Sequence, residues 1–261
     1  MSTAASADGT SIAYELLGEG PPVILVDGAM CYREAGPMRA ISDQLQGTHT
    51  VCLYDRRGRG ESGDTLPYAP AREVEDIEAL IAQVGGRAAL FGMSSGGALA
   101  VRAAAKVGSA ATHLLVYEPP FSAEPADSNT VEQAEKVAAC LEADDHSGAV
   151  AAFMNQIGMP LPMIEGMQQS PEWETFTAIA PTLAYDNEIM ADGAVPESAS
   201  EVSAPTLALA GGDSTDSLRW GAEELARAVS QGRFDTLAGQ AHDVDPVVLA
   251  ARLEGFLTPH R

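Results

Sequence analysis

The sequence predicts an α/β protein built on a doubly wound, mostly parallel sheet with an inserted helical cap. Three observations carry this. Short apolar runs recur along the chain, each stopping at glycine, proline or an acidic residue; helix-like stretches separate them; and the alternation breaks once, between Phe121 and about Val202.

The apolar runs are PVILVDG (22–28), TVCLYDRRG (50–58), AALFGMSSG (88–96), HLLVYEPP (113–120) and APTLALAGG (204–212), and RFDTLAG (233–239) reads as a last strand. Near-continuous hydrophobicity without strict alternation is the pattern of strands buried on both faces. Helical patterns lie over 73–85, 97–108, 216–231 and 246–257. Strand alternating with helix implies right-handed crossovers in one sheet. Residues 122–202 offer helical patterns (TVEQAEKVAACLEA, SGAVAAFMNQIG) and a Pro- and Met-rich piece, but no clear strand. They read as a cap between two core segments, 1–121 and 203–261. Five of the nine methionines (Met154, Met159, Met163, Met167, Met190) fall in the cap. Most such methionines pack helices together, although their flexibility also suits an irregular apolar pocket.

Composition narrows the partners. A formal charge of −22 repels polyanions, so nucleic acid and anionic membrane surfaces are poor partners. A small neutral molecule suits this chain better, and a homodimer is compatible with its composition. Three cysteines without CxxC spacing argue against a disulfide framework or a structural zinc site. No metal and no cofactor is expected. The N-terminus lacks a basic segment followed by an apolar one, and no apolar run is long enough to span a bilayer, so the expected location is the cytoplasm.

Gly92-Met93-Ser94-Ser95-Gly96 fits G-x-S-x-G. The pattern alone is common, and a plain glycine-rich turn would satisfy it. Here a buried strand runs into it and a helix runs out, which is the setting of a nucleophile elbow. Ser94 would attack, and the backbone N–H of Ser95 would donate to an oxyanion. A serine hydroxyl needs a base. Of the five histidines, His49, His113, His146 and His260 read more simply as surface or structural residues. His242 follows the last strand, on the sheet edge that carries Ser94, and is the candidate base. The loop after VILVDG supplies the second oxyanion donor, Ala29 first and Gly28 close behind, with Asp27 expected to cap the turn.

The ordered set of elbow, DG loop, YDRRGRGESG and late GQAHD resembles the α/β-hydrolase superfamily over nearly the whole chain. That resemblance implies a cap after the sixth strand and makes DRRGRGES a structural turn, with Arg56, Arg57 and Arg59 as charge partners. A closer likeness is to the zearalenone-type lactone hydrolases, on Asp27-Gly28, Gly92 to Gly96 and Glu118-Pro119. Met93 before the serine departs from them, and the cap shows no motif in common with them.

Two carboxylates compete to orient His242. Asp213 follows the seventh strand, where most of the superfamily carries its acid, although the usual spacing would put that acid at Ser214. Glu118 follows the sixth strand, where the resembled lactone hydrolases carry theirs. A carboxylate ending a buried strand needs a partner, whereas Asp213 sits among turn residues, which favours Glu118. The expectation is a serine hydrolase cleaving an ester or lactone of an apolar small molecule. The alternatives are a carbon–carbon bond hydrolase, a biosynthetic tailoring enzyme on the same triad, or a ligand-binding protein with little turnover.

Overall fold

A computed structural model describes residues 2–122 and 128–258; residues 123–127 of the expected cap, and His260, lie outside it. The chain opens with a hairpin of β1 (Ser2–Ala5) and β2 (Ser11–Leu17), which the strand pattern of the sequence does not announce. β1 is short and buries only Ala4, and in β2 the buried Ile12, Ala13 and Tyr14 are flanked by Ser11 and Glu15, so neither strand carries a long apolar run. Then follow β3 (Pro22–Val26), α1 (Met38–Leu45), β4 (Thr50–Tyr54), α2 (Pro70–Gln83), β5 (Ala88–Met93), α3 (Ser95–Val107) and β6 (Ala111–Tyr117). The next helices are α4 (Ser128–Glu142), α5 (His146–Gln156), α6 (Leu161–Met167), α7 (Trp173–Ile179) and α8 (Leu183–Met190). The chain closes with β7 (Thr206–Gly211), α9 (Asp216–Ala228), β8 (Gly232–Leu237) and α10 (Pro246–Leu257).

The strands form one eight-stranded sheet in the order β1-β2-β4-β3-β5-β6-β7-β8. β1 pairs antiparallel with β2, and β2 with β4; every other pair is parallel. Successive residues of the buried strands serve opposite faces. Ile24, Val26, Leu90, Leu114, Val116 and Ala208 pack on one side with α2, α3 and α9. Val23, Leu25, Phe91, Leu115, Leu207 and Leu209 pack on the other with α1 and α10. Two-sided burial is why these runs read as continuous rather than alternating.

Between β6 and β7 the described residues hold helices and no strand. Their apolar side chains form a core of their own, with Val137, Val150, Met154, Ile164, Trp173 and Leu183 at its centre. Met30, from the loop after β3, inserts into this core. The methionines divide: Met154 is buried there, Met159 and Met167 pack against it, Met190 packs on the main core, and Met163 is exposed.

Candidate active site

Crowding sets the elbow between β5 and α3. A Cβ on Gly92 would lie 2.3 Å from the Gly96 carbonyl oxygen, and one on Gly96 would lie 2.3 Å from the Val26 oxygen. Only glycine lets α3 start so close to β3. Between them Ser94 adopts φ 55°, ψ −131°, a strained conformation for a residue with a side chain. Its N–H donates to Tyr117 O at 3.0 Å and its carbonyl accepts from Gly97 N at 2.9 Å, which fixes the turn at both peptides. The partly exposed Ser94 thus projects at the C-terminal edge of the sheet.

Glu118 directly follows β6, has φ 47° and is fully buried. Its Oε1 accepts from Gly211 N at 2.7 Å, and its Oε2 lies 2.7 Å from His242 Nδ1. Burial pushes its carboxyl up, but the hydrogen bonds from His242 and from Gly211 and the nearby imidazole outweigh that and hold it below the usual glutamate value. The His242 side chain is about half exposed (46%), whereas Glu118 beside it is fully buried. Tyr117, which no sequence motif singles out, donates its phenol to Ala241 O at 2.5 Å and so pins the backbone beside His242. Asp213 is exposed, and no described group bonds its carboxylate; only its N–H is engaged, to Gln240 O at 2.9 Å. The structure therefore brings Glu118 to His242 and does not bring Asp213 there. It does not close a hydrogen bond between His242 and Ser94: among the described residues the Ser94 hydroxyl has no partner.

Gly28 packs against the Ser94 turn, where a Cβ on it would lie 3.2 Å from Ser94 Cβ. Among the described residues, the backbone N–H groups of Gly28, Ala29 and Ser95 have no acceptor. The expectation that Asp27 caps this turn is not met. Its carboxyl is buried, Oδ1 has no hydrogen-bond partner, and burial raises its pKa to about 7 against the opposing pull of Arg59 and Arg56. Cys31 beside it stays a protonated thiol near neutral pH, since burial first and the Asp27 charge second push its pKa to about 12.

The three arginines after β4 are buried and paired. Arg56 binds Glu73 at 2.7 Å and Asp186 at 2.8 Å; Arg57 binds Asp76 at 2.7 Å and Asp8 at 2.9 Å; Arg59 binds Asp186 at 2.6 Å. No charge is left over for a phosphate. Burial works against ionised Asp186, but Arg56 and Arg59 outweigh it and hold the carboxyl below its usual value. A surface cleft of about 410 Å³, lined in part by His113, Gln231, Arg233 and Phe256, lies at the opposite edge of the sheet and shares no residue with this site. Among the described residues, no cluster of acidic, histidine and cysteine side chains could hold a metal ion, and no helix is long and apolar enough to cross a membrane.

A serine in a strained turn between strand and helix, with a paired histidine and carboxylate on the same sheet edge, is the layout of an α/β hydrolase. The chain belongs to the alpha/beta hydrolase family, whose model matches residues 23–252. It is similar to the solved structure of an alpha/beta hydrolase from Sphaerobacter thermophilus, at 41% identity and TM-score 0.87 over 98% of this chain and 100% of that one. A thermophilic esterase from Thermogutta terrifontis shares the fold at 24% identity and TM-score 0.73, over 98% of this chain and 97% of that one. Among curated proteins, the uncharacterized hydrolase YraK of Bacillus subtilis is 27% identical over 157 residues, 57% of this chain. That match spans about half the length of the curated relative, 55%.

Proposed function

We propose that this chain is a serine hydrolase cleaving an ester or lactone of an apolar small molecule through Ser94, His242 and Glu118. The observation that carries the reading is the buried Glu118 carboxylate, 2.7 Å from His242 Nδ1, on the sheet edge where the strained Ser94 projects. A carboxylate so placed fixes the ring with Nδ1–H toward Glu118 and frees Nε2 to accept a proton.

The Ser94 hydroxyl attacks the carbonyl carbon while His242 Nε2 removes its proton. The Nε2–Oγ contact, open in the free protein, closes as substrate binds. The tetrahedral oxyanion accepts from the Ser95 N–H and from Gly28 or Ala29, each donor contributing about 3 kcal/mol. Imidazolium, stabilised by Glu118, protonates the leaving alkoxide as the C–O bond breaks. Water, deprotonated by His242, then attacks the acyl-enzyme, and the acid leaves as Ser94 regains its proton. For a lactone, alcohol and acid remain in one product.

Helices α4–α8 form the cap in this reading. They join the core at β6, enclose Met30 from the loop after β3, and reach the elbow through Asp186, all at the C-terminal edge of the sheet. Their apolar core beside the oxyanion loop supports an apolar substrate. The Glu118-Pro119 position supports the lactone side of the proposal.

A fluorophosphonate should label the wild-type protein, with labelling and hydrolysis both lost in Ser94→Ala. A panel of aryl esters and macrolactones identifies the substrate class. Failure of the wild-type protein to label would overturn the reading.

A further inference from the structure

The peptide groups offered as oxyanion donors are held from behind. Arg56 Nη1 donates to Asp27 O at 3.2 Å, and Arg59 Nη1 donates to Gly28 O at 2.6 Å and to Cys31 O at 3.2 Å. In a planar trans peptide the N–H points opposite to the C=O. A guanidinium holding the Asp27 carbonyl therefore aims the Gly28 N–H the other way, and one holding the Gly28 carbonyl does the same for Ala29.

Both guanidiniums converge on one carboxylate. Asp186 Oδ1 accepts from Arg56 Nη1 at 2.8 Å, and Oδ2 from Arg59 Nη2 at 2.6 Å. Oδ1 also accepts from the Ser95 hydroxyl at 2.8 Å. Ser95 carries the third candidate donor, so Asp186 touches both halves of the oxyanion site through their supports. Its dependents differ. Arg56 keeps a two-pronged pairing with Glu73 at 2.7 and 2.8 Å, whereas Asp186 is the carboxylate within salt-bridge distance of Arg59 among the described residues. The remaining acceptors of Arg59 are the two loop carbonyls and the Thr182 hydroxyl.

We propose that Asp186, contributed by the segment between β6 and β7, is a positioning residue that sets the oxyanion-binding N–H groups of Gly28, Ala29 and Ser95 through Arg56, Arg59 and the Ser95 hydroxyl. The inference rests on the serine-hydrolase reading above. A simpler role would be to anchor α8, but α8 has other anchors. Tyr185 stacks on Tyr68 with ring centroids 3.7 Å apart and donates to Asp64 at 2.6 Å, and Arg102 donates to Ile189 O at 2.8 Å. Removing the Asp186 charge therefore tests aim separately from attachment.

The test compares wild type, Asp186→Asn and Ser95→Ala in the full chain. An aryl trifluoromethyl ketone, which adds to Ser94 and places an oxyanion in the site, reads the N–H groups. The affinity of an uncleaved aryl ester, measured with Ser94→Ala as background, reads the cleft alone. Asp186→Asn should lose about tenfold or more in both ketone affinity and kcat, with ester affinity within about twofold. Ser95→Ala should lose less, and the double variant no more than Asp186→Asn, since both act through one carboxylate. Unchanged ketone affinity in Asp186→Asn, whatever its Tm, would overturn the inference, as would equal weakening of ketone and ester. Should Asp186→Asn not fold, Ser95→Ala decides: a loss of ketone affinity alone supports the proposal, and wild-type affinity overturns it. Wild-type protein unreactive to fluorophosphonate would overturn the hydrolase reading and this inference with it. A labelled wild type with an unaffected Asp186→Asn removes only the inference.

Discussion

Two buried carboxyl groups, Glu118 and Asp27, are driven in opposite directions by their surroundings. Glu118 meets donors at both oxygens and stays ionised; Asp27 has no bond to Oδ1, and its pKa rises to about 7. Replacing Glu118 by Gln removes the charge that stabilises imidazolium and puts an amide where Nδ1–H must donate. Its kcat should fall by about four orders of magnitude with KM little changed. Asp213→Asn should stay within about tenfold of wild type, and steady-state kinetics on the same ester compares them. The reverse ranking would return the acid to the end of β7. For Asp27 the folded pKa lies above the unfolded one. Its stabilising contribution is therefore complete below about pH 4 and is lost as pH rises toward 7, a change on the order of 4 kcal/mol. Glu118 has the opposite sign and acts lower, its contribution being lost as pH falls below the ordinary glutamate range. The stability difference between wild type and Asp27→Asn, from urea melts at several pH values, should move in wild type's favour as pH falls from about 7 to about 4. A flat difference would show that Asp27 is solvated.

At the scale of elements, the junction of β3, β5 and α3 sets where Ser94 stands. A Cβ on Gly96 would meet two backbone oxygens, Val26 O at 2.3 Å and Asp27 O at 2.4 Å, and neither can turn aside as a flexible side chain could. Gly96→Ala should cost about 1–3 kcal/mol of stability. A shift of the elbow by about 1 Å should lower kcat/KM on the order of a hundredfold besides. Gly255, inside α10, faces open space, with nothing within 4 Å of where a Cβ would stand. Gly255→Ala should therefore raise stability by up to about 1 kcal/mol and leave activity alone. Thermal melts and one activity assay compare the two. Equal effects would mean that close approach is not what the elbow glycine provides.

For the whole molecule, the charge of −22 acts against compactness, while the buried arginines each sit among carboxylates. Salt screens the dispersed surface charges more than the buried pairs. Raising ionic strength from about 0.01 to 0.2 M, where the Debye length shrinks from about 30 to under 10 Å, should therefore raise Tm. A lower Tm in salt would mean that exposed ion pairs, not self-repulsion, dominate.

What the sequence determined by itself is what local chemistry encodes. The runs around Val23–Val26, Ala88–Met93 and Thr206–Gly211 declare buried parallel strands because both faces of each must be apolar, and Gly92 to Gly96 declares a strand-to-helix turn. The β1–β2 hairpin is not legible there: the edge strand β1 buries only Ala4, and β2 confines its burial to Ile12–Tyr14 between Ser11 and Glu15. Only the tertiary structure decided which carboxylate meets His242, because Glu118 and Asp213 both end strands on one edge and differ in where their side chains arrive. It alone revealed Asp186, which stands 130 residues from Arg56 and 91 from Ser95, at distances along the chain over which no periodicity or spacing carries information. Pairing of buried charges is fixed by how elements pack, and packing is a property of the folded chain.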